Sequence, residues 1–163
     1  MKKYLTNMLH PTLFVLATTL ALPAFAADDS GTSNMEILRE KITTDKKFLV
    51  ATNMNLTDAE AKKFWPIYKA YQKDLHQINE RLAKVINNYA IAYNKGALSN
   101  DTAKKLLDEA IAIESAEVKL KQSYVPKLDK ILPATKVARY IQIETKIRAI
   151  IRYGFAEGIP LMK

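Results

Sequence analysis

TDAEAKKFWPIYKAYQKDLHQINERLAKVINNYAIAY, residues 57–93, decides the architecture. Within it Phe64, Tyr68, Tyr71, Leu75, Ile78, Leu82, Val85 and Tyr89 follow one another at spacings of 4, 3, 4, 3, 4, 3 and 4. Such steps lay the side chains along one narrow seam of an α-helix, the pattern of helices packed lengthwise. Thr57 and Glu60 form a capping box in front of it. The spacing predicts one helix from Asp58 to about Tyr93, about 50 Å long at ~1.5 Å per residue. A helix of that length needs partners along it. Pro66, in its second or third turn, lacks an amide and predicts a kink.

Outward from this segment the pattern stays helical. Ser33 and Glu36 make an earlier capping box, opening a first helix that carries Met35, Leu38, Ile42 and Leu49 and ends near Thr52 and Asn53. Asn94-Lys95-Gly96 reads as a stop, and Ser99 with Asp101 as the next start. A third helix then runs from about Asn100 past Tyr124, with Leu106, Ala110, Ile113, Leu120 and Tyr124 on one stripe and Leu107, Ile111 and Val118 beside it. Its Ala103, Ala110 and Ala116 are small enough to receive the tyrosines of the preceding helix in an antiparallel hairpin. Pro126 interrupts its end and Leu132-Pro133 marks the next junction. A fourth helix extends from about Ala134 to Tyr153, with Val137, Tyr140, Ile143, Ile147 and Ile150 among its apolar positions, and Gly154 ends it. No strand-like alternation appears. The fold class is therefore all-α, four helices around a long kinked central hairpin.

Residues 1–26 read as an export signal. Lys2 and Lys3 precede an apolar run from Leu13 to Leu22, and Ala24-Phe25-Ala26 offers a cleavage site. On that expectation the mature chain starts at Ala27, has a short polar lead-in over 27–33, one helical domain over 34–153 and a tail over 154–163. Of 163 residues, 137 remain after the 26-residue signal, carrying 23 basic and 17 acidic side chains for a net charge of +6. The compartment implied is the periplasm, which argues against nucleotide-driven chemistry and nucleic-acid binding. The positive charge favours acidic partners, including unfolded polypeptides and anionic membrane surfaces. The chain has no cysteine, which excludes disulfides, a lipoprotein anchor, thiolate zinc sites and thiol nucleophiles.

No catalytic constellation is present. His76 is the one histidine after the signal, and its partner one turn on, Glu80, makes only two ligands. Lys73 stands where a Glu-x-x-His di-iron motif needs its acid. Haem ligation by Met54 with His76 has no support beyond bundle topology. No Gly-x-Ser-x-Gly elbow occurs. Asp108, Glu109, Glu114 and Glu117 alternate with lysines and suit a solvated face, with Glu117 to Lys121 and Glu144 to Arg148 in the favourable i, i+4 order. The expectation is a non-enzyme without metal or cofactor. Candidate client-binding residues are Trp65, beside the seam, with Lys62, Lys69 and Lys73 on the second helix and Lys136, Arg139, Lys146, Arg148 and Arg152 on the fourth: basic heads draw a client in and scattered apolar surface holds it.

Leu56-Thr57-Asp58-Ala59-Glu60 resembles the LTxxQ motif of the Spy/CpxP-like periplasmic stress proteins, with Leu56, Thr57 and Glu60 at its defining positions and Glu in place of Gln. Leu98-Ser99-Asn100-Asp101-Thr102 and Leu132-Pro133-Ala134-Thr135-Lys136 echo it, and no copy keeps the terminal Gln. The segments Phe64-Trp65-Pro66-Ile67-Tyr68 and Ala138-Arg139-Tyr140-Ile141-Gln142-Ile143-Glu144 are similar to those of a proteobacterial secreted subgroup. This resemblance spans nearly the whole mature chain. It implies a four-helix fold, a homodimer, and ATP-independent holding of unfolded or envelope proteins. Two further roles known among such proteins, inhibition of a two-component sensor and heavy-metal binding, are the alternatives.

Overall fold

The computed structural model describes residues 45–96 and 98–162, and every regular element among them is helical. Residues 45–54 form α1, followed by α2 (Asp58–Asn94, 37 residues), α3 (Asn100–Asp129, 30 residues) and α4 (Ala134–Gly158, 25 residues). The export signal, the lead-in, the Ser33–Glu36 capping box and the positions Met35, Leu38 and Ile42 lie outside the described residues. α3 packs antiparallel along α2, and α4 lies antiparallel to α3. Cross-links from Lys46 to both Gln72 and Glu144 set α1 against α2 and α4 at the lower end of the bundle.

Helix starts follow the sequence closely. Thr57 Oγ1 accepts the Glu60 amide at 3.3 Å while Glu60 Oε2 accepts the Thr57 amide at 2.8 Å, completing the capping box. Ser99 Oγ accepts the Thr102 amide at 3.2 Å. Pro133 caps α4 without a side-chain bond, suiting a residue whose fixed φ presets the turn. Each of the three motif copies thus opens a helix. Asn55, with φ of 46°, takes the left-handed turn between α1 and α2, a conformation asparagine tolerates better than most.

Helix ends differ from the expected ones. α2 runs unbroken through Pro66 and α3 continues through Pro126 to Asp129. The residues four positions back, Lys62 and Gln122, are exposed like the prolines, so water can serve the carbonyls that lose their amide partners. α4 does not stop at Gly154; it continues to Gly158, so the segment taken as a tail from 154 is largely helix. Glycine inside a helix costs only about 1 kcal/mol relative to alanine, too little to end one by itself. The tail proper begins at Ile159 and is docked, because the Tyr89 hydroxyl donates to the Pro160 carbonyl at 2.8 Å.

The seam of α2 is the core. Phe64, Tyr68, Tyr71, Ile78 and Tyr89 are buried, and Leu75, Leu82 and Val85 are half-buried. At the lower end Phe64, Tyr71 and Tyr140 are essentially sealed and pack edge to face, with Phe64 to Tyr140 centroids 5.2 Å apart and Tyr71 to Tyr124 also 5.2 Å. Tyr71 is received by these rings rather than by the alanines of α3, of which Ala116 packs against the core cluster. Val50 and Met54 of α1 close the same cluster from below.

Candidate binding surfaces

Four polar side chains form a closed network inside the bundle. Lys46 Nζ lies 2.8 Å from Glu144 Oε2 and donates to Gln72 Oε1, also at 2.8 Å; the Gln72 amide donates in turn to Glu144 Oε1 at 2.8 Å and to the Tyr140 hydroxyl at 3.4 Å. One knot thereby ties α1, α2 and α4. A second cluster lies higher. Glu117 of α3 forms an ion pair with Arg148 and accepts at 3.1 Å from Arg152 of α4, while Arg148 Nη1 donates to Asn79 Oδ1 of α2 at 3.0 Å. Arg152 also meets Glu114 at 3.3 Å.

These clusters correct the sequence assignment in several places. Glu117 is buried, not solvated, and Glu144 is buried too. Their partners come from other helices: Glu117 binds Arg148 and Arg152 rather than Lys121, and Glu144 binds Lys46 and Gln72 rather than Arg148. Of the candidate client-binding residues, Arg148 and Arg152 are therefore committed to internal pairing. Lys136 is as well, since its Nζ sits 2.5 Å from Glu60 Oε2 and 2.9 Å from the Asn55 carbonyl. Lys62, Lys69, Lys73, Arg139 and Lys146 are exposed and make no ion pair among the described residues. Trp65 is half-buried, edge-on to Phe64 and Tyr68, with Lys47 Nζ 5.3 Å from its ring centroid, so it belongs to the rim of the core more than to the surface.

Burial has the expected electrostatic effects. Desolvation, reinforced by the nearby Glu144 charge, pushes the Tyr68, Tyr71 and Tyr140 hydroxyls far above the usual tyrosine range, so they remain neutral. Tyr124, whose hydroxyl donates to Asp74 at 2.6 Å, is pushed up to about 12, mainly by burial. Desolvation, with Arg152 beside it, lowers the Arg148 guanidinium. The Lys136 ammonium and the Thr57 amide hold the Glu60 carboxyl below its ordinary value.

Two features among the described residues offer room for an external ligand. A cavity of about 350 Å³ lies between α2 and α4, with its floor on α3. On the outer side of α3, Leu107, Ile111 and Val118 form a solvent-facing row, exposed by 57%, 54% and 55%. The sequence had placed this row beside the buried stripe; its one-position offset carries it out of the core. His76 is exposed 3.3 Å from Glu80, Met54 is sealed in the core, and no group of three metal-ligating side chains exists among the described residues. No helix among the described residues is long and apolar enough to cross a membrane. No known family, curated protein or solved structure matches the chain.

Proposed function

We propose that the protein is a periplasmic holding factor that binds unfolded or partly unfolded envelope proteins without nucleotide. The observation that carries this reading is the row Leu107, Ile111 and Val118 on α3. Three large aliphatic side chains, each more than half exposed, run for about 16 Å at ~1.5 Å per residue along a helix whose opposite face is already packed. Exposed lysines flank the row, including Lys105 and Lys119. Positive charge accelerates encounter with acidic segments, and loose apolar contact without a shaped pocket gives breadth instead of selectivity. The resemblance of the three helix starts to the LTxxQ proteins and the export signal read at residues 1–26 support the same assignment. Binding by such a surface requires no catalytic group.

The test is light scattering of a reduced, unfolding client with the chain from Ala27 to Lys163 added at increasing ratios and two salt concentrations. Suppression near stoichiometric ratios that weakens with salt is the expected result, because screening reduces long-range attraction. Leu107→Asp together with Ile111→Asp should remove most of it while leaving the fold intact. Absence of suppression at every ratio rejects the holding function, and capture of one partner at fixed stoichiometry would favour a sensor accessory instead.

A further inference from the structure

The cavity between α2 and α4 points to a second, chemically different ligand, and we infer that it is a binding site for a single-chain anionic amphiphile such as a medium-chain carboxylate. This site lies apart from the α3 row and stands or falls independently of it. At about 350 Å³ the cavity is near the lower end of the ~300–1,000 Å³ usual for small-molecule sites, which suits one short chain and excludes a two-chain lipid. Its walls include Tyr71 and Leu75 of α2 and Ile147 and Ile151 of α4, which offer an alkyl chain an apolar channel.

The charge balance selects the head group. Lys46, Lys73, Lys121 and Arg148 line the cavity, opposed by two carboxylates, Glu117 and Glu144. Those carboxylates are already taken up by Arg148 and Lys46. Among the described residues Lys73 and Lys121 have no acidic partner, so the lining carries an excess of positive charge, and the buried Arg148 Nε adds a donor without an acceptor among them. A carboxylate placed between the two lysines answers that excess. A cationic head meets repulsion, and a neutral one leaves both ammonium groups unmatched.

Calorimetric titration of the chain from Ala27 to Lys163 with decanoate, below its micellar concentration, tests the site, with decanol and decyltrimethylammonium as head-group controls. Decanoate should bind at one per chain, about tenfold more tightly than decanol, with no binding of the cation; two exposed ion pairs account for a difference of that order. Ile151→Trp, which fills the channel, should abolish binding, with Leu75→Trp as the alternative filler and circular dichroism confirming the fold of each. Lys73→Gln with Lys121→Gln should bring decanoate down to the level of decanol, while Leu107→Asp with Ile111→Asp should change nothing. Failure of decanoate to bind, equal binding of all three head groups, or binding indifferent to both fillers overturns the inference. Loss of client holding with retained decanoate binding rejects the proposed function alone.

Discussion

The lower and upper halves of α2 share one seam but not one environment. Below, Phe64, Tyr68 and Tyr71 are covered by α1, α3 and α4 together and are exposed by no more than 6%. Above, where α1 does not reach among the described residues, burial is uneven: Ile78 and Tyr89 are buried, while Leu75, Leu82 and Val85 are only half-buried. The repeat that places these residues is the same throughout. What differs is the number of partners, so periodicity fixes which face turns inward and the neighbouring helices fix how much water is removed.

The widest contrast between the halves comes from truncating the core. Tyr140→Ala, below, should cost about 3–5 kcal/mol, because a fully buried ring leaves a cavity. Leu82→Ala, above, should cost about 1 kcal/mol, in line with its partial burial. Urea unfolding of both variants measures the difference; equal losses would mean that the upper half is as tightly packed as the lower.

Next in size is removal of a buried acid from each half. Glu144→Ala strands Lys46 below, and Glu117→Ala strands Arg148 above, each expected to cost about 3 kcal/mol because the remaining charge stays buried without its counterion. Arg152 also borders Glu117 and is nearly half exposed, so the upper cluster can relax toward water. Glu117→Ala should therefore be the milder of the two in thermal melts, and the reverse order would show the upper cluster to be the drier one.

The smallest effect is set at the base. Glu60 has a folded pKa held below its ordinary value of 4.5, so its contribution is present above that value and is lost as pH falls through the folded pKa. Glu60→Gln should lower the melting temperature slightly at neutral pH and not at all in acid, where the wild-type carboxyl is itself protonated. A uniform drop across the pH range would show that the side chain acts only by its shape.

Much of this was readable in advance. The α2 seam, the caps at Thr57 and Ser99, and the antiparallel hairpin all follow from spacing and cap chemistry. Glu117 was also within reach, since Leu106, Ala110, Ile113, Glu117, Leu120 and Tyr124 continue a 4, 3, 4, 3, 4 rhythm with an acid on the seam. Its charge and flanking lysines point to solvent, and that expectation is overturned: Glu117 is buried, as its place in the rhythm allows. Glu144 likewise keeps step with Val137, Tyr140, Ile147 and Ile151. Gln72 and Asn79 stand seven apart at the edge of the α2 seam, a polar ladder visible once the acids are placed inside. The helix ends resisted because a local breaker need not stop a helix: Pro126 lies between the buried Tyr124 and Leu128, which hold α3 in place, and Gly154 costs α4 too little to end it. The cavity was beyond reach, for it depends on how closely three helices approach.

Glu60 and Lys136 occupy the fifth position of two copies of one motif, and they bind each other across 76 residues of chain. The start of α2 and the start of α4 are thereby lock and key to each other. Neither letter is free to drift alone: a neutral residue at one site strands a charge at the other, and exchanging the two signs would lose the Thr57 cap and set a carboxylate against the Asn55 carbonyl. Among descendants of this sequence the two positions should be kept together, and an alignment that recorded only the caps would miss the bond that couples them.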